Sequence, residues 1–212
     1  MQELALAVLP VFAILILTEV LWRNNSLRGE SARKLVHIFV GSYVAFWPFL
    51  ISFQAIQLIS VAFLVVVGIS LKFGIFKAIH GVARRTWGEV LFAVGIGLTA
   101  VLTSQPWVFT ACILHMSVAD GFAALAGKKW GKNNRYHVAG HEKSIIGTAV
   151  FWFCSLIITG LAIVNLPELQ ADASVYLFVI PIVTSLMENI GIGGTDNVFV
   201  PVLVYFMLTF HP

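Results

Sequence analysis

Long apolar runs alternate with short polar segments along the whole chain. The runs cover 4–21, 35–51, 53–70, 88–104, 107–127, 145–165 and 173–191, and a shorter one covers 197–210. Each of the first seven is close to the ~20 residues that a helix needs to cross a bilayer. The pattern predicts an all-α, polytopic integral membrane bundle of seven to eight transmembrane helices. The run at 197–210 reads as a tilted last span or a half-helix. Only Ser52 separates the second run from the third, which predicts a tight hairpin, and Gln105-Pro106 separates the fourth from the fifth. No polar stretch is long enough to form a soluble domain, so 1–212 reads as one domain.

Composition agrees with a bilayer environment. Of the 212 residues, 59% are hydrophobic and 11% charged, whereas a soluble domain carries about 25% charged residues. Met1-Gln2-Glu3 has no positive n-region, so the first run does not read as a signal peptide. Cys112 and Cys154 both sit inside apolar runs without metal-ligand spacing and read as packing residues. No dinucleotide fingerprint, P-loop or tandem repeat is present, and no nucleic acid is expected as a partner.

The 13 Lys and Arg residues fall in alternate connecting segments. Arg23, Arg28, Arg33 and Lys34 follow the first run; Lys72, Lys77, Arg84 and Arg85 follow the third; Lys128, Lys129, Lys132, Arg135 and Lys143 follow the fifth. The positive-inside rule puts such segments in the cytoplasm, with the N-terminus outside. Orientation alone explains their sign and side, but not the residue patterns within them.

Ionisable groups inside a span are costly, and each is a candidate for function. Glu19, Asp120, Glu188 and Asn189 fall inside or at the ends of runs, and Asp196-Asn197 opens the last one. His115 lies deeper and reads as a hydrogen-bonded packing histidine. On a helix, Asp120, Ala124, Gly127 and Lys128 share a face. That face is either a helix-packing stripe or a small-residue approach to a ligand.

The segment from Lys128 to Lys143 carries five cations and leads into Ser144-Ile145-Ile146-Gly147 at a helix start. Such a segment suits phosphate groups, or equally the headgroups of anionic membrane lipids. Three glycines at 191, 193 and 194 interrupt the apolar pattern between Glu188 and Asp196. Irregular backbone at membrane depth is tolerated where it is buried or lines a polar cavity. Glu188, Asp196, Asn197 and Asp120 offer oxygen ligands of the kind Mg2+ takes together with substrate phosphates. Carboxylates and cations on one membrane face point to nucleotide chemistry.

Four segments resemble the polyprenol kinase family: the phytol kinases, the dolichol kinases and the CTP-dependent diacylglycerol kinases. They are Arg33-Lys34-Leu35-Val36-His37-Ile38 with Gly41; Arg84-Arg85-Thr86-Trp87-Gly88-Glu89; Asp120-Gly121-Phe122-Ala123 through Gly127 and Gly131 to Lys143-Ser144-Ile145-Ile146-Gly147; and Glu188 followed by Asp196-Asn197 and Val200-Pro201. The phytol kinase branch resembles this chain most closely. Ala119 stands where the family is expected to carry Gly, and Thr195 where plant phytol kinases often carry a second acidic residue. These departures bear on the substrate more than on the reaction.

The resemblance implies phosphoryl transfer from a nucleoside triphosphate, typically CTP, to a lipid alcohol. It implies Asp120, Glu188, Asp196 and Asn197 as Mg2+ ligands or hydroxyl-orienting groups. Lys128, Lys129, Lys143 and Ser144 would hold the phosphates, with Arg33, Lys34, Arg84 and Arg85 assisting. Asp120, Lys143 and His37 are the catalytic candidates. His37 reads as a general base or as a structural hydrogen-bond partner. Glu89 reads as the partner of an arginine or as a direct participant. The lipid, and whether the chain forms a homo-oligomer, stay open.

Two other readings compete. A phosphatidate cytidylyltransferase shares the Asp, Gly-Lys and Lys-Ser core, but its later His-Gly-Gly and Asp-Arg-x-x-Asp pattern is not found. An ion-coupled transporter would use the intramembrane acids differently, and would place broken helices at matching positions in two halves. No such pair is apparent.

Overall fold

The computed structural model describes residues 2–26, 29–74 and 87–210. Arg28, Lys77, Arg84 and Arg85 lie outside the described residues, and so does most of the segment that connects the third helix to the fourth. The chain runs through α1 (Gln2–Arg23), α2 (Glu30–Val44), α3 (Phe53–Phe73), α4 (Gly88–Leu102), α5 (Pro106–Leu114) and α6 (Asp120–Trp130). A hairpin, β1 (Arg135–Val138) and β2 (His141–Ser144), precedes α7 (Ile145–Asn165), α8 (Ala173–Ile190) and α9 (Asp196–Thr209).

The helix boundaries follow the apolar runs. Ser52 caps α3 by accepting from the Ala55 N–H, and Pro106 opens α5, where its missing N–H costs nothing. α1, α3, α5 continued into α6, α7 and α8 are each long and apolar enough to cross a membrane. α4 and α9 are apolar but span 15 and 14 residues. The run expected at 35–51 is α2 followed by a short 3-10 turn at Trp47–Phe49. Glu30, Arg33 and Lys34 occupy the first turns of α2. Among the described residues, five helices therefore meet the length and hydropathy of a span, and the expected count of seven to eight is reached only by including the shorter ones.

The α5–α6 rod is the centre of the bundle. Most of it (78% of its most apolar stretch) is buried, against 22–33% for the other long helices. Phe109, Ile113 and Met116 on the rod pack with Phe151 of α7 and Val204 of α9. Outer faces carry exposed Leu9, Leu58, Val164 and Phe178. A water-soluble protein would bury such residues, whereas hydrocarbon accepts them at no cost.

Between α5 and α6 the helix widens into one π-turn, His115–Ala119. Ser117 Oγ donates to the Ile113 carbonyl at 2.7 Å, and His115 uses both ring nitrogens, against the Ala111 carbonyl and Ser155 Oγ, each at 2.8 Å. The packing role expected for His115 matches these contacts. A π-turn adds a residue to the turn and rotates every later side chain about the helix axis, a device frequent at functional sites. Asp120 is the first residue after it.

The only strands among the described residues are β1 and β2, in the basic segment read from the sequence as a loop. They pair antiparallel, with Tyr136 opposite Lys143 and Val138 opposite His141. Ala139 and Gly140 turn the corner with φ of 49° and 77°. Two successive positive φ values match the right-handed twist of the strands they join.

Candidate active site

Three elements meet around Asp120, and small residues let them approach. A Cβ on Gly41 of α2 would stand 2.1 Å from Ser117 Cβ, and one on Gly121 of α6 would stand 2.2 Å from Ile38. With hydrogen at both positions, α2 lies directly on the π-turn and α6. This contact brings Lys34 and His37 to Asp120. Lys34 Nζ is 2.5 Å from Asp120 Oδ2, and both side chains are buried. His37 Nε2 donates to the Met116 carbonyl at 2.9 Å and lies 3.4 Å from the same Oδ2. Phe92 of α4 packs on the imidazole, with ring centroids 4.6 Å apart. Both partners of Asp120 engage Oδ2, which leaves Oδ1 for the cleft that Asp120 lines.

That cleft, about 340 Å³ in volume, is walled by α2, α6, the hairpin, the start of α7, the end of α8 and the start of α9. Arg33, Lys34, Lys128, Arg135 and Lys143 all line it, as do Asp120, Glu188, Asp196 and Asn197. Lys143 reaches across from β2 to α8, where Nζ is 2.5 Å from Glu188 Oε1 and 3.0 Å from the Glu188 carbonyl. Asp196 lies within electrostatic range of Asp120, Lys34, Lys143 and His37. Acids and lysines therefore interleave, each buried carboxylate of the two pairs facing its own ammonium.

The remaining expected residues divide. Ser144 lines the cleft and caps α7, its Oγ accepting from the Gly147 N–H at 3.0 Å. Lys128 donates to Ser31 Oγ at 2.9 Å, at the rim. Arg33 pairs with Glu30 and feels the charges of Glu89 and Asp120. Lys129 turns away from the cleft and lies over the Trp130 ring, 4.6 Å from its centroid. Arg84 and Arg85 lie outside the described residues.

The glycine segment between α8 and α9 is built as its composition implies. Gly193 and Gly194 have φ of 63° and 100°. The Gly193 carbonyl accepts from the Trp87 N–H at 3.0 Å, and a Cβ on Gly194 would come within 2.6 Å of Gly88 Cα. The segment thus seats the start of α9 on the start of α4. Asn197 Nδ2 donates to the Gly88 carbonyl at 2.8 Å, while Asn197 Oδ1 is buried without a partner among the described residues.

A free buried carbonyl oxygen is costly unless something binds it. With Asp196, Glu188 and Asp120 on the same cleft, the donors are all oxygens, which fits a hard divalent cation. Among the described residues no three His, Cys, Asp or Glu side chains converge on one point. This set suits Mg2+ held by one or two carboxylates and by substrate phosphates, not an ion caged by protein alone.

One group escapes a reading of motifs. Tyr136, in β1, donates to Asn189 Oδ1 at 2.8 Å and lies 2.5 Å from Thr148 Oγ1, tying the hairpin to α7 and α8. The alternation Arg-Tyr-His-Val, then Ala-Gly, then His-Glu-Lys-Ser is the available signal: two short strands around a two-residue turn.

The phytol kinase of Synechocystis sp. (strain ATCC 27184 / PCC 6803 / Kazusa) is 29% identical to this chain over 195 residues, which cover 89% of the chain and 82% of that protein. This similarity supports the polyprenol kinase resemblance, on its phytol kinase-like side. No family model and no solved structure matches it. The polyprenol kinase resemblance read from four separated segments is thus matched by a similarity running through nearly the whole chain.

Proposed function

We propose that this protein is a membrane-embedded lipid-alcohol kinase that transfers the γ-phosphoryl group of a nucleoside triphosphate, CTP in our reading, to an isoprenoid alcohol. The observation that carries the proposal is the Asp120 cleft, where a buried carboxylate is held by Lys34 beside His37 while Arg33, Lys128, Arg135 and Lys143 face the same space. The similarity to a phytol kinase supports the same reaction class.

In this mechanism Lys143, Lys128, Arg135 and the Ser144–Gly147 helix start hold the phosphates, since cations and helix N–H groups offset their charge. The alcohol oxygen attacks the γ-phosphorus while the bond from that phosphorus to the bridging oxygen breaks, and the nucleoside diphosphate leaves. Asp120 Oδ1 accepts the hydroxyl proton, as the catalytic-loop Asp does in protein kinases. His37 Nε2 is committed to the Met116 carbonyl, so His37 orients Asp120 and does not serve as the base through that nitrogen. Mg2+, held by Asp196 and Asn197 with Glu188 nearby, would supply further neutralisation of phosphate charge. The cleft opens on the cytoplasmic side, where the basic segments belong by the positive-inside rule.

The test is transfer of label in detergent with Mg2+, lipid alcohols and phosphatidate. Label from the γ-phosphate of CTP or ATP in the alcohol establishes the kinase and its donor. Label from the α-phosphate in phosphatidate, with release of pyrophosphate, establishes a cytidylyltransferase instead.

A further inference from the structure

A second cavity adjoins the first. It is a narrow groove, about 90 Å³, between one face each of α2, α3 and α4. Arg33 lines both cavities, and His37, which touches Asp120, lines the groove. Beyond this polar end the walls are almost wholly apolar. Val36, Val40 and Val44 descend α2 at helical spacing, opposite Phe63 and Val67 of α3 and Phe92 of α4. Trp47, only 1% exposed and donating through Nε1 to the Ala7 carbonyl at 3.2 Å, lies at the far end. The three helices agree on depth. Ser60 to Ser70 on α3 is ten residues, or ~15 Å at 1.5 Å per residue, and Gly88 to Ile96 on α4 is eight residues, or ~12 Å.

We propose that this groove is the acceptor-chain site: it takes the single slender hydrocarbon chain of a lipid monoalcohol, with the hydroxyl at the Arg33–His37 end and the chain running toward Trp47. The inference rests on the lipid-alcohol kinase reading and narrows it. Continuity with the polar cleft sets the direction, because only a molecule with one polar terminus and one apolar body fills both. The walls set the class. One face each of three neighbouring helices borders the groove and leaves a single apolar track along Val36, Val40 and Val44, which suits the one chain of an isoprenoid alcohol and not the two of a diacylglycerol. Ala93, buried in the α4 wall, and Val67, half-buried in the α3 wall, keep it open.

The test uses the full-length protein in detergent with farnesol, geranylgeraniol and diacylglycerol as acceptors. It is paired with photolabelling by a geranylgeraniol analogue that carries a diazirine on its chain. The wild type is expected to phosphorylate the isoprenoid alcohols in preference to diacylglycerol, with label recovered on α2, α3 or α4 peptides. Ala93→Phe is expected to raise the KM for geranylgeraniol about tenfold, the loss of roughly two buried methylenes of contact, with the nucleotide KM unchanged. Val67→Phe narrows the groove from its more exposed wall and is expected to do the same if Ala93→Phe fails to fold. Unchanged acceptor KM in both folded variants, label outside the three helices, or preference for diacylglycerol would overturn the groove assignment while leaving the kinase intact. No phosphorylation of any alcohol by folded wild type sinks the kinase reading, whereas the photolabel still reports on the groove.

Discussion

Lys34 and Asp120, eighty-six residues apart in the chain, meet at 2.5 Å in the interior of the bundle. Each is the other's nearest charged partner, with His37 beside Asp120 at 3.4 Å. Removing one partner of a buried pair strands the other charge, at a cost of about 3–5 kcal/mol. Lys34→Met is therefore expected to lower the thermal midpoint in detergent sharply. The double variant Lys34→Met, Asp120→Leu is expected to recover much of the loss while remaining without phosphoryl transfer. Thermal unfolding followed alongside activity separates the two effects.

Lys143 pairs with Glu188 while lining the cation-rich cleft. If it exchanges this carboxylate for nucleotide phosphate on binding, Lys143→Met removes a charge-assisted contact worth about 1.5–3 kcal/mol. The expected result is a nucleotide KM raised about 10- to 100-fold, with the acceptor KM little changed. Steady-state kinetics at saturating alcohol check it.

Tyr136→Phe deletes the hydroxyl that joins the hairpin to Thr148 and Asn189. The loss is expected to be about 1 kcal/mol of stability, the ordinary worth of a hydrogen bond. Faster proteolytic cleavage near Ala139-Gly140 is expected with it, because the tie that holds the hairpin is gone. Limited proteolysis with intact-mass detection reads this directly.

Gly194→Ala places a Cβ at φ 100°, within 2.6 Å of Gly88 Cα. Backbone strain of this kind costs about 1–3 kcal/mol. The contact it disturbs also positions Asn197 against the Gly88 carbonyl. A lower melting temperature is expected, together with a higher Mg2+ requirement in the transfer assay.

Much of this architecture was legible in the residues. Apolar runs located the long helices to within a few positions, because hydrocarbon leaves a helix little freedom to be anything but apolar over its span. Intramembrane Asp120 and Glu188 stood out for the same reason. The glycine segment after Glu188 announced its irregular backbone. The π-turn did not announce itself, since His115–Ala119 has the composition of an ordinary helical turn. The partnership of Lys34 with Asp120 depends on how α2 crosses the central rod, and Gly41 and Gly121 permit that crossing without specifying it. Lys129 was indistinguishable from Lys128 in the chain, yet one helical step, about 100° of rotation, turns it toward Trp130.

The most direct measurement is γ-label transfer by Asp120→Asn, a substitution that keeps the size of the side chain and an oxygen to accept from Lys34. The expected result is a fall of about 10²- to 10⁴-fold in turnover, the usual contribution of a positioned base, in protein that stays folded and still binds nucleotide. Turnover within a few-fold of wild type in that folded variant would contradict the assignment of Asp120 and the mechanism built on it.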